Sequence, residues 1–353
     1  MRAMILDELG PLDRSPKPLR LAELPDPSPG AGEVLIRVST CGVCHTELDE
    51  IEGRTPPPEL PVVLGHQVVG RVEEVGPDPD GEGETRGTMG EAPRAGDRVG
   101  VAWIYSACGR CVHCREGNDN LCSEFRATGR DANGGYAQLM VAPRDFVFPI
   151  PANFNDAEAA PLLCAGAIGY RSLRLAEISD GDPLGLTGFG ASGHLVLKMV
   201  RHRFPNTDVH VFARSESERA FALELGAVWA GDTADRPPQG LAAIIDTTPV
   251  WKPVVEALRC LRPGGRLVIN AIRKEDHDKE LLLRLDYGED LWMEREIKSV
   301  ANVASRDVSE FLELAAEIPI LPEVQEYELE DANRALQELR KGKIRGAKVL
   351  RIG

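Results

Sequence analysis

Apolar and polar positions follow two different rhythms along this chain, and the change comes near residue 155. Before it, short runs such as "EVLIRVST", "VVLGHQVVGRVEEVG", "DRVGVAWI" and "GGYAQLMVAP" are rich in β-branched residues and bounded by glycine and proline. Runs of that kind predict strands. Between them, "GPDPDGEGETRGTMGEAPRAGD" (76–97) has no apolar period and reads as an exposed loop.

After residue 155 the period lengthens. Asn155 is placed to cap one helix over "DAEAAPLLCAGAIGYRSLRLA". Apolar runs and amphipathic segments then take turns. "PLGLTGFG" precedes "SGHLVLKMVRHRF", and "DVHVFAR" precedes "SESERAFALELGA". "LAAIIDTT" precedes "WKPVVEALRCL", which leads into "GRLVINAI". Apolar strands alternating with helices predict βαβ units and a parallel sheet covered on both faces. "DVSEFLELAAEI", "DANRALQELRKG" and "AKVLRIG" end the chain and are expected to return to the first domain. The expected fold class is α/β: a doubly wound parallel sheet over 156–301, and a mainly β domain from 1–155 and 302–353.

Composition narrows the function. A chain of 353 residues exceeds what one core normally serves. The net charge of −15 argues against nucleic acid as a partner, because phosphate binding needs a basic stripe. No apolar run approaches the roughly 20 residues that span a bilayer. The N-terminal "MRAMILDELG" is interrupted by Asp7 and Glu8, unlike a secretory signal. The expected location is the cytoplasm, where clustered thiols bind metal rather than form disulfides.

Four cysteines, Cys108, Cys111, Cys114 and Cys122, are spaced C-x2-C-x2-C-x7-C. Four thiolates so close together suit one tetrahedral ion in a closed, structural site, with zinc preferred over iron. His113 is surplus to that shell. Three further residues lie apart: Cys44 at a strand-to-helix turn, His66 beside a glycine at a strand start, and Cys164 where the composition shifts. Each alone reads as a packed or hydrogen-bonded residue. Together, with water in the fourth position, they have the open zinc geometry of a catalytic site. The metal would polarise an alcohol or carbonyl oxygen. Thr46 could accept the alcohol proton and Asp49 pass it to solvent; otherwise Thr46 is a helix cap and Asp49 a solvated first-turn acid.

"GFGASG" places Gly188, Gly190 and Gly193 as G-x-G-x-x-G after an apolar strand and before a helix. That context makes it a pyrophosphate turn, with Ala191 and Ser192 opening the helix. The next strand ends at Ala213, Arg214 and Ser215, where an NAD site normally has an acid. A guanidinium there favours a 2′-phosphate, hence NADP(H) over NAD(H).

These signatures, "CGVCHTEL", "LGHQVVG", the four-cysteine lobe (about 105–125), "LLCAGAIGY" and "GFGASG", run in one order along both domains. On them the chain resembles the zinc-dependent medium-chain alcohol dehydrogenases. The resemblance implies a chaperonin-10-like (GroES-like) catalytic domain, a Rossmann domain and a cleft between them. It implies reversible hydride transfer between an alcohol and a nicotinamide, two Zn2+ per chain, and a homodimer or homotetramer. Cys44, His66 and Cys164 match the catalytic zinc ligands, and Thr46 the relay hydroxyl. His45 matches a pyrophosphate contact, Arg345 a second one, and Trp103 a residue that narrows the pocket for small primary alcohols.

Three positions depart from the family pattern. Asp49 replaces a histidine, Gln67 a glutamate and Ile168 a threonine. Cys41 and Cys260 receive no role. Competing readings are an NAD-dependent, secondary-alcohol or polyol dehydrogenase, and a zinc-stabilised binding protein without catalysis.

Overall fold

The computed structural model describes residues 1–78, 92–318, 320–341 and 346–353. The expected 76–97 loop falls largely outside these residues, and Arg345 wholly so. The chain divides into two compact units, Met1–Cys164 with Val303–Gly353, and Ala165–Asn302.

The first unit is built on a seven-stranded sheet. Its longest strand, Glu33–Val43, pairs antiparallel with Val68–Val75, Leu139–Pro143 and Ala347–Arg351. The chain's last strand is thus stitched to one of its first, and it also pairs in parallel with Val324–Glu328. Tyr136, Phe148, Leu64, Leu162 and Leu163 are fully buried in this unit. The run from Val62 to Val75 is not one strand. Val62–Val63 and Val68–Val75 are separate, and between them Gly65 turns with φ +98°. A Cβ there would lie 2.4 Å from the Tyr136 ring, so only glycine fits. His66 sits in that interruption.

The single helix expected over 156–176 is three pieces. Asn155 does cap the first, Asp156–Ala159, accepting the Glu158 N–H at 2.9 Å. A 3-10 turn, Ala160–Leu163, follows, and a second helix runs from Ala165 to Ala176. Pro161 has no N–H for a continuous α-helix, and Cys164, at φ −127° and ψ −77°, stands in the break.

In the second unit six parallel strands take the order third, second, first, fourth, fifth, sixth. They are Leu184–Thr187, Val209–Phe212, Trp229–Gly231, Leu241–Asp246, Leu261–Ile269 and Glu296–Ser299 in chain order. This is the doubly wound Rossmann arrangement, which places its ligand crevice outside the carboxyl ends of the strands where their order reverses, between the first and the fourth. Among the described residues no helix is long and apolar enough to cross a membrane.

One long-range contact ties the cysteine lobe to the returning chain. The buried Asp119 carboxylate accepts the Ser305 N–H at 3.0 Å and the Ser305 hydroxyl. Ser305 opens the helix Ser305–Glu317, whose first amides have no partner within the helix. Asn118 Oδ1 accepts from Arg306 at 2.7 Å beside it. Asp119→Ala should therefore cost about 1–3 kcal/mol, because two buried donors lose their acceptor. Chemical denaturation followed by a probe in the first unit checks this; an unchanged midpoint would show the contact to be idle.

Candidate active site

Cys44 directly follows the long strand and is the N-cap of the helix His45–Ile51. His66 follows the Gly65 turn, and Cys164 stands in the helix break. These three local irregularities, all in the first unit, aim three ligand atoms at one point. Cys44 Sγ lies 3.9 Å from Cys164 Sγ, and His66 Nε2 lies 3.4 Å from Cys164 Sγ. All three atoms fall within 4.8 Å of one another. A tetrahedral zinc with sulfur at about 2.3 Å and nitrogen at about 2.0 Å sets S···S at about 3.8 Å and S···N at about 3.5 Å. The observed separations fit that ion.

The three groups also perturb one another's titration. The hydrogen bond from Cys164, helped by His66, holds the Cys44 thiol well below its ordinary value against the opposing effect of burial. That same bond, then burial, pushes Cys164 well up. Burial works against a charged His66, but Glu47 and Cys44 outweigh it and raise the imidazole well above its usual value.

Glu47 was not singled out in the sequence, yet it organises this centre. It is fully buried. Its Oε2 accepts the Cys44 N–H at 2.7 Å, and its Oε1 lies 2.6 Å from His66 Nδ1. The second contact is an ion pair by distance; neither atom has an aligned hydrogen-bond partner among the described residues. One carboxylate thus touches two of the three candidate ligands. The signal was present as an acid three residues after the N-cap, the capping-box position. Glu50, one turn on, is also fully buried, and burial first, Glu47 second, pushes its carboxyl well above the usual range.

Thr46 is the second residue of the helix, not its cap, and its Oγ1 lies 3.7 Å from Cys44 Sγ. Asp49 is not a solvated acid. It is 6% exposed, and its carboxylate meets Arg54 at 2.5 Å. His45 is exposed. Gln67 is buried against Gly42, where a Cβ would lie 2.5 Å from its Oε1. Trp103 is half-buried, its ring 5.1 Å from that of Phe125 and its buried Nε1 without a partner among the described residues. Ile168 is half-buried in the second unit's first helix.

The four cysteines of the lobe also lie together. Cys108, Cys111, Cys114 and Cys122 present sulfurs within 4.8 Å of one another. Cys111 and Cys108 lie 3.5 and 3.9 Å from Cys114, far too long for disulfides and close to tetrahedral edges. Backbone N–H groups of Cys108, Cys111, Cys114 and Glu124 donate to these sulfurs at 3.3–3.5 Å. The backbone donors of Arg110 and Cys111 lower Cys108 to about 7, while burial and Cys111 raise Cys114 to about 12. His113 is half-buried and outside the sulfur set. The lobe leaves and returns through one ribbon, Ile104–Ser106 against Arg126–Ala127.

In the second unit the glycine turn joins the first strand to the helix Ala191–Arg203. Gly188 has φ +80°, and Gly193 packs so closely that a Cβ would lie 2.7 Å from the Gly188 carbonyl oxygen. At Gly190 a Cβ would meet nothing within 4 Å. That open space beside a helix N-terminus fits a pyrophosphate. Ser192 is half-buried. Arg214 is exposed just past the second strand. Ser215 caps the next helix, accepting the Glu218 N–H at 3.1 Å.

Comparison with known proteins agrees with this picture. The alcohol dehydrogenase GroES-like domain family matches residues 30–152. A probable alcohol dehydrogenase, AdhA, of Mycobacterium tuberculosis (strain CDC 1551 / Oshkosh) is 43% identical over 343 residues, 97% of this chain and 95% of that one. An alcohol dehydrogenase of Geobacillus stearothermophilus is 31% identical over 361 residues, 100% of this chain and 99% of its own. A cobalt- and zinc-bound thermostable alcohol dehydrogenase from Pyrobaculum aerophilum is similar in structure, with TM-score 0.81 at 25% identity over 99% of each chain. The chain belongs to the zinc-dependent medium-chain alcohol dehydrogenase family. Its activity is that of an NAD(P)-dependent alcohol dehydrogenase acting on small-molecule alcohols.

The two glycines separate packing from binding. Gly190→Ala should leave the melting temperature unchanged but weaken dinucleotide binding, since the added methyl enters the open space. Gly193→Ala should lower the melting temperature as well, because its methyl meets backbone. Equal thermal shifts for both variants would contradict this division.

Proposed function

We propose that the protein catalyses hydride transfer between a primary alcohol, or its aldehyde, and NADP(H), with two zinc ions per chain. The convergence of Cys44, His66 and Cys164 carries this reading. Zinc, when bound, supplies Lewis acidity that eases ionisation of an alcohol hydroxyl near neutral pH and polarises a carbonyl in the reverse direction. The two sulfurs and His66 Nε2 would hold the ion, and no fourth side chain joins them among the described residues. Glu47 fixes the orientation of Cys44 and His66 from behind. Thr46 Oγ1, 3.7 Å from Cys44 Sγ, takes the substrate's hydroxyl proton as it releases its own toward Asp49, which is paired with Arg54. Trp103 limits the pocket to small groups. The four sulfurs of the lobe would hold the second zinc as a staple.

Arg214 supports NADP(H): it is an exposed guanidinium where an NAD site would hold an acid. The cytoplasm suits eight cysteines that are all free. Self-association as a dimer or tetramer is supported by the sixth strand, Glu296–Ser299, an exposed sheet edge flanked by exposed Trp292 and Met293.

Metal analysis of the purified protein should give two zinc ions per chain, Cys44→Ser removing one and Cys111→Ser the other. A wild type with one ion, or a Cys44→Ser variant that keeps both, contradicts the assignment. NADPH should quench intrinsic fluorescence at concentrations on the order of tenfold lower than NADH, and Arg214→Ala should erase the difference. NADH binding as well or better would refute the cofactor choice.

A further inference from the structure

At the carboxyl edge of the second unit's sheet sits a charge that a dinucleotide should not tolerate. Asp246 ends the fourth strand and pairs in register with Thr187, the last residue of the first strand. The glycine turn begins one residue later. Asp246 is 0% exposed. Its Oδ1 accepts from Thr187 Oγ1 at 2.5 Å, Thr248 Oγ1 at 2.8 Å and Thr248 N–H at 3.2 Å. Such a carboxylate, unneutralised, would repel an anionic pyrophosphate at the crevice where doubly wound sheets bind their ligands.

Lys274 supplies the missing charge. It lies beyond the fifth strand, in the segment that follows it, and its side chain is only 8% exposed. Its Nζ contacts Asp246 Oδ2 and donates to the carbonyl oxygens of Thr248 at 2.7 Å and Val250 at 3.2 Å. An ammonium in a buried site that donates three times is held in place rather than sampling solvent. The segment that carries it is pinned by its own backbone: Asn270 N–H donates to the Asp246 carbonyl at 2.7 Å, and Glu275 N–H to that of Pro249 at 2.7 Å.

The network reaches the glycine turn through Thr247 and Thr248. Thr247 Oγ1 donates to the Thr187 carbonyl at 3.1 Å and lies 3.4 Å from that of Gly188. A Cβ at Gly188 would lie 2.8 Å from the same hydroxyl, so the turn rests directly on this segment. Every member lies within the second unit.

We propose that Lys274 is the counter-charge of the dinucleotide site: it cancels Asp246 and so sets the potential that the cofactor's phosphates meet. This rests on reading the glycine turn as a dinucleotide site. Lys274 is a positioning and electrostatic residue, not one that touches the reacting atoms. Its removal leaves a buried anion facing the cofactor; removal of both charges leaves none. A mere latch between loops behaves differently, since losing both partners would not repair it.

The full-length zinc-loaded protein tests this, with NADPH and NADH as probes in fluorescence titrations and KM and kcat measured in parallel. Lys274→Met should raise the dissociation constant and the cofactor KM on the order of tenfold, with kcat at saturation and zinc content little changed. Lys274→Arg should bind nearly as the wild type does. The double variant Lys274→Met/Asp246→Asn should recover most of the lost affinity. If Lys274→Met does not fold, the double variant, with no uncompensated buried charge, carries the test alone and should fold and bind. Lys274→Met binding as tightly as wild type, or a double variant as weak as the single one or unable to bind, overturns the proposal. A wild type that binds neither dinucleotide overturns the reading of the glycine turn, and the proposal with it.

Discussion

Two half-buried thiols and a buried imidazole within 4.8 Å of one another are a poor arrangement without a positive charge between them. That constraint organises the first unit. Each ligand is delivered by a departure from regular structure: the end of a long strand, a glycine turn inside a β run, and a break between two helical pieces. Regular elements alone could not bring residues 44, 66 and 164 together. Glu47 then joins two of the three from behind, so the centre is held as a unit and not as three separate side chains.

The second unit meets a comparable demand with opposite sign. Its ligand crevice must receive phosphates, yet Asp246 sits fully buried at the carboxyl edge of its central strands. Lys274 answers that charge, while Gly188, Gly190 and Gly193 remove side-chain bulk from the turn. The proposed metal centre would need a cation among anionic ligands; the proposed dinucleotide turn would need neutral or positive surroundings for an anion. Electrostatic compensation therefore recurs in both units. The lobe adds a third case, in which Asp119 serves as a remote acceptor for the first amide of a helix that begins where the chain re-enters the first unit.

Much of this was legible in the sequence because local chemistry marks it. The cysteine spacing, the glycine turn after an apolar strand and the Cys44 turn all announce themselves within fifteen residues. Strands with two buried faces, such as Leu184–Thr187 and Leu241–Asp246, stood out as apolar runs. Glu296–Ser299 did not, since all four residues of this edge strand are exposed and its pattern reads as loop. Trp229–Gly231 is too short to show a period. The helix over 156–176 read as continuous because amphipathic spacing survives across the break; Pro161 was the clue to it. Glu47 and Lys274 were invisible for another reason. Their roles depend on partners 19 and 28 residues away, His66 and Asp246, whose meeting only the tertiary fold creates. The alternative reading of Asp49 as a solvated first-turn acid fails because Arg54, five residues on, folds back over it.

X-ray absorption at the zinc edge, on Cys111→Ser protein whose lobe no longer holds metal, tests the central arrangement most directly. The account predicts a four-coordinate ion with two sulfurs at about 2.3 Å, one imidazole nitrogen and one further light atom near 2.0 Å. A shell of four sulfurs, or of light atoms without sulfur, would mean that Cys44, His66 and Cys164 do not share an ion, and the proposed chemistry would lose its foundation.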